Sequence, residues 1–140
     1  MSKRERNDPD YLRKQGTREA KGAKQRKITF SFIKYYKGEG QSYEEWDSCG
    51  LLAELLKMFQ HVGNHSPVEA RQQKLIKEYK EFPPHSEFKH PKHIGYVTWA
   101  VMHVTATSKE VVVGYIEDDV FYIIFLDKEH KFWPTELKNT

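Results

Sequence analysis

The run Val120–Leu126, VFYIIFL, constrains this chain more than any other stretch, because it is apolar on both of its alternate faces. In a β-strand successive side chains point to opposite sides. Strict alternation therefore places Phe121, Ile123 and Phe125 on one side and Tyr122, Ile124 and Leu126 on the other. Such a strand must be covered on both faces, in a sheet centre, beside a helix layer or against a partner chain. Upstream, Val111–Ile116 is a second β-branched and aromatic run, and the acidic link Glu117-Asp118-Asp119 joins the two as a hairpin. Downstream, polarity flips to Asp127-Lys128-Glu129-His130-Lys131 and returns at Phe132 and Trp133. Carboxylate, ammonium and imidazole groups thus gather at the end of a buried strand.

The 140 residues suit one domain with a real core. A hydrophobic content of 38% and a mean hydropathy of −0.80 are polar, whereas 14% aromatic residues is rich, which implies an ordered core plus a polar segment. Residues 1–27 are that segment. Ten basic and four acidic side chains give them a charge of +6, and the remaining 13 basic and 16 acidic side chains leave −3 for the body. So few apolar residues cannot offset the entropy of ordering, so 1–27 is expected to be a flexible basic arm and 28–140 a single α+β domain. One reading of the arm is a nucleic-acid or ribosome contact through Arg13, Lys14, Lys24, Arg26 and Lys27, since such groups displace counterions from phosphates. The other is a solvated tail. The single cysteine and the lack of a secretory or membrane-spanning stretch point to a cytoplasmic protein with no membrane partner.

The chain enters a strand-like run at Ile28–Tyr35, which Lys37-Gly38-Glu39-Gly40 ends. Ser42 with Glu45 is a capping box, and Trp46, Cys49, Leu52, Ala53, Leu56 and Phe59 recur at helical spacing, predicting one helix of about five turns. Ser66-Pro67-Val68-Glu69 repeats the start signal, Leu75, Ile76, Tyr79 and Phe82 extend the stripe, and Pro83-Pro84 stops it. The two helices are expected to pair as an antiparallel hairpin. An irregular segment follows at His85–His93, then a strand-like run at Ile94–Thr105. The order predicted is arm, β, α, α, β, β, β, with an antiparallel sheet of about four strands on a helical hairpin.

Seven histidines raise the question of a metal. His61 and His65 are four apart, but Gly63 and Asn64 lie between them, and His85, His90 and His93 have no ligand spacing, so no metal and no cofactor is expected. Cys49 falls on the helical stripe and is expected to be a small buried core residue. His103, among apolar neighbours, is expected to be partly buried and satisfied, with a sheet-surface site as the alternative. The cluster after the last strand is the most chemical. Imidazole passes protons near neutrality, and ammonium groups offset charge on a phosphorane-like transition state. Those ingredients serve metal-free RNA cleavage by the ribose 2′-hydroxyl, with His130 as acid or base and Lys128 and Lys131 as stabilisers. Trp133 or Phe132 would then stack on a base.

The order β-α-α-β-β-β and the closing run VVVGYIEDDVFYIIFLDKEHKF resemble the RelE/ParE-type toxins of bacterial toxin–antitoxin systems, over about Ile28 to Trp133. The resemblance implies a sheet with a concave basic face and an antitoxin segment that wraps the toxin. RelE-type members cleave messenger RNA in the ribosomal decoding site without a metal, and ParE-type members poison gyrase. The family's catalytic positions near the last strand would correspond to Lys128, His130 and Lys131. The leading expectation is a toxin-like endoribonuclease acting on mRNA, on the ribosome or free. The alternatives are a non-catalytic nucleic-acid- or protein-binding module that uses the arm, and a partner-dependent structural protein. The oligomeric state is not specified by the sequence.

Overall fold

The computed structural model describes residues 26–105 and 109–134. Most of the expected arm, including Arg13, Lys14 and Lys24, lies outside the described residues. Strands β1 (Thr29–Ser31), β2 (Lys77–Tyr79), β3 (Trp99–His103), β4 (Val111–Glu117) and β5 (Val120–Asp127) form one sheet in the order β1-β5-β4-β3-β2. Helices α1 (Tyr43–Ser48), α2 (Leu51–Val62) and α3 (Pro67–Gln72) lie between β1 and β2. The fold is α+β, with five strands where about four were expected. The sheet is mixed, because β1 runs parallel to β5 while every other pair is antiparallel. Among the described residues no helix is long and apolar enough to cross a membrane.

The fifth strand arises where a helix was expected. α3 starts as predicted, with a complete capping box between Ser66 and Glu69. It ends one turn and a half later because Lys74 takes a left-handed φ of 59°. Its N–H donates to the Arg71 carbonyl at 3.1 Å and that of Leu75 donates to Ala70 at 2.9 Å, the paired reverse bonds of a Schellman stop. Glycine usually fills that position, so a lysine hides the stop. The freed chain becomes β2 at the sheet edge, and the expected helical hairpin is lost. The long first helix is likewise two helices. Gly50 has φ 75°, ends α1 and caps α2, so the two stripes have independent registers. Cys49 consequently lies exposed at the end of α1 rather than buried in the core, and Leu56 is 66% exposed on α2.

The hairpin β4–β5 forms as expected, closed by Asp118 at φ 58°. Its register slips between Val113 and Gly114, where Val113 faces Phe125 and Gly114 faces Ile123. Ile124 is therefore an extra residue on β5, a β-bulge that inverts the alternation beyond it. Phe121, Ile123 and Leu126 join Trp46, Leu55 and Met102 in a core beneath the helices. Ile124 and Phe125 join Trp99, Val113 and Phe132 in a core on the opposite face. Strict alternation had Phe125 and Leu126 on the wrong sides. A side chain at Gly114 would collide with the Tyr122 carbonyl, so glycine is required there. The second face is covered within the chain by Phe88 of the irregular segment, by Phe82 and Ile94 on either side of it, and by Phe132 and Trp133.

The outer edge of β5 is closed by more than β1. After Ser31 the chain turns, and the Tyr36 and Gln41 N–H groups then donate to the Ile124 and Leu126 carbonyls at 2.9 and 3.0 Å. Gly40, at φ 75°, comes so close to the Leu126 carbonyl that no side chain fits. The strand expected over Ile28–Tyr35 is thus three residues of ladder followed by a looser edge cover.

Candidate functional site

The turn after β5, where catalysis was expected, is built around Asp127. Its side chain is fully buried, and its two oxygens accept the Lys131 and Phe132 N–H groups at 2.9 and 2.8 Å. Burial pushes the carboxyl above its ordinary range, against the opposing pull of those N–H groups and of His130. The turn closes with His130 at φ 61°, and its Nδ1–H donates to the Trp133 carbonyl at 2.7 Å. In the neutral ring Nε2 is then the acceptor. Gln41, buried beneath the turn, accepts the Lys128 N–H at 2.7 Å and the Trp46 indole N–H at 3.0 Å through one oxygen.

The three expected catalytic side chains have separate surroundings. Lys128 Nζ sits 3.6 Å from Cys49 Sγ, in a cleft of about 380 Å³ with Lys109, Glu110 and Glu129. Lys131 Nζ lies 3.8 Å from a Glu129 carboxylate oxygen. His130 instead stacks near His103, with ring centroids 6.2 Å apart and planes at 29°. Trp133 stacks on Tyr79 at 4.5 Å and 9°, and His85 meets it edge-on at 4.5 Å. Of the expected nucleic-acid contacts, Arg26 is exposed, and Lys27 Nζ donates to the Asn64 carbonyl at 2.9 Å.

Through His103 the turn adjoins a larger cleft of about 470 Å³ between α2 and the end of β3. α2 contributes Glu54, Lys57 and His61, at helical spacings of three and four that place them along one side. The left-handed stop after α3 contributes Lys74, and the last residue of β3 contributes His103. His103 is exposed, not partly buried, because β3 ends there at the rim of the sheet. Glu54 and Lys57 pair at 3.4 Å. Behind His61, the His65 Nδ1–H donates to the His61 carbonyl at 2.9 Å and the rings lie 5.2 Å apart. Two histidines, two lysines and one glutamate thus border a concave surface whose ionic lining is cationic. The arrangement brings groups able to pass protons beside charges that bind an anion.

Among the described residues no group of three or more His, Cys, Asp or Glu is placed to hold a metal ion. No local motif announces this cleft, since its groups come from α2, the α3 stop and β3. The one available signal is the polar row Glu54, Lys57, His61 alongside the apolar stripe of α2. A scan against protein-family models, a search of curated proteins and a search of solved structures returned no match.

Proposed function

We propose that the protein is an endoribonuclease of the toxin-like kind, cleaving RNA without a metal in the cleft between α2 and β3. The carrying observation is that His61 and His103, from separate elements, line one cleft with Lys57 and Lys74. One imidazole takes the proton of a ribose 2′-hydroxyl as O2′ attacks the adjacent phosphorus. The other protonates O5′ as the P–O5′ bond breaks, leaving a 2′,3′-cyclic phosphate and a 5′-hydroxyl. Lys57 and Lys74 offset the charge on the phosphorane-like transition state. His130 becomes a positioning residue, held by the Trp133 carbonyl and stacked near His103. The basic segment 1–27 supplies affinity for the polyanion, in line with its +6 charge. The resemblance to RelE-type toxins supports messenger RNA as the substrate, free or on the ribosome.

The test is to incubate the full chain with defined RNA in the presence of EDTA, alongside His61→Gln and His103→Gln. Cyclic phosphate ends are expected, with each substitution lowering the rate about 10²-fold or more. Inducible expression, scored for growth and message integrity together, tests the toxin reading in cells. RNA left intact by folded wild-type protein both free and on the ribosome, or full cleavage by the double variant, would overturn the proposal. The rival reading, a non-catalytic binding module, draws support from the Asp127–Lys131 turn, whose buried carboxylate serves the fold. It predicts RNA binding that disappears on removal of 1–27, with no cleavage at any stage.

A further inference from the structure

We infer that a second cleft, at the opposite end of the β2–β3 edge, is a subsite for a guanine base; its occupant rests on the RNA reading above. This cleft, of about 320 Å³, is lined by Lys80, Glu81, Phe82, His90, Tyr96 and Trp99, among others. Three of its rings contact one another. Phe82 lies 5.2 Å from His90 and 5.1 Å from Trp99, and His90 lies 5.6 Å from Trp99. His90 is held in place by donating Nδ1–H to the Pro91 carbonyl at 2.9 Å. Tyr96 stands fully exposed at the mouth, next to Gly95, which has no atom within 4 Å of a built side chain. An aromatic-lined cleft of this size with an exposed tyrosine suits a flat heteroaromatic ring.

The polar rim selects among such rings. A carboxylate accepts at two oxygens and donates nothing. Guanine alone among the four RNA bases presents two adjacent N–H donors, N1–H and N2–H, on one edge. The other bases place an acceptor beside each donor and would set it against Glu81. Glu78, the other carboxylate on this edge, is already held in a two-pronged pair by Arg71 at 2.8 and 3.2 Å.

The two clefts lie on opposite faces of the sheet, with the edge strand β2 between them. Lys74 lines the catalytic cleft, Lys80 lines the aromatic one, and Lys77 lies between them on β2, its Nζ 5.4 Å over the Tyr79 ring.

The test is calorimetric titration of the full chain with GMP, AMP, CMP and UMP. A parallel cleavage assay uses oligonucleotides carrying one guanine at varied positions. GMP is expected to bind at least tenfold more tightly than the others. Glu81→Gln should erase that preference, and Tyr96→Ala should weaken all four nucleotides. Both residues are exposed, so neither substitution threatens the fold. Cleavage should depend on the presence of the guanine. Equal or absent binding of the four nucleotides, or a GMP preference that survives Glu81→Gln, would overturn the inference even if RNA is cleaved. GMP preference without cleavage would uphold this subsite while the nuclease reading failed.

Discussion

Asp127→Ala is the substitution whose consequence the structure defines most sharply. It deletes both acceptors of the Lys131 and Phe132 N–H groups, and Phe132 is fully buried, so water cannot replace the lost partner. Hydrogen bonds to a charged acceptor contribute about 1.5–3 kcal/mol each. Relief of the buried charge offsets part of that loss. A net destabilisation of about 2–4 kcal/mol follows, a large fraction of the 5–15 kcal/mol typical of a domain. Asp127→Asn keeps one acceptor but turns an NH₂ toward the second N–H, which should cost about 1–3 kcal/mol. Urea unfolding followed by far-ultraviolet circular dichroism would give the midpoints, and the m-value should stay constant. A stability within about 0.5 kcal/mol of wild type would refute the claim that this carboxylate organises the turn.

The remaining predictions concern pH and the glycines. Burial raises the folded-state pKa of Asp127 above the ordinary 3.8, so ionising it costs more in the folded chain, and stability falls on this account as pH rises from that value through the folded pKa. The difference in unfolding midpoint between wild type and Asp127→Asn, measured from about pH 3 to 7, should therefore move against wild type as pH rises. Gly114→Ala should give little soluble protein, because its Cβ and the Tyr122 carbonyl cannot both occupy the bulge. Gly50→Ala meets nothing within 4 Å and should cost only the strain of φ 75°, about 1–2 kcal/mol in the same urea assay.

What the sequence disclosed was whatever periodicity and local caps encode. The capping boxes at Ser42 and Ser66 and the β4–β5 hairpin stand where the pattern put them, and so does the demand that β5 be covered twice. The misses share a cause: a single residue whose backbone conformation interrupts a pattern. Ile124 inverts the facing of Phe125 and Leu126, Gly50 divides a helix, and Lys74 stops another without the expected glycine. The charged run Asp127–Lys131 looked chemical because its density of ionisable groups is visible in one dimension, whereas burial of Asp127 is not. The cleft containing His61 and His103 was hidden for the opposite reason. Its members lie 42 residues apart in the chain and meet only through the sheet.

The cover on the outer edge of β5 bears on self-association. VFYIIFL has high β-propensity and no charge, the composition of segments that stack into cross-β aggregates when their edge is open. β1 and the Tyr36 and Gln41 amides occupy that edge, with Gly40 permitting the close approach. These few residues therefore act as a safety catch against self-assembly. A fragment beginning at residue 42 would keep the helices and four strands yet expose β5 along its length, and should form thioflavin-positive deposits that the full chain does not.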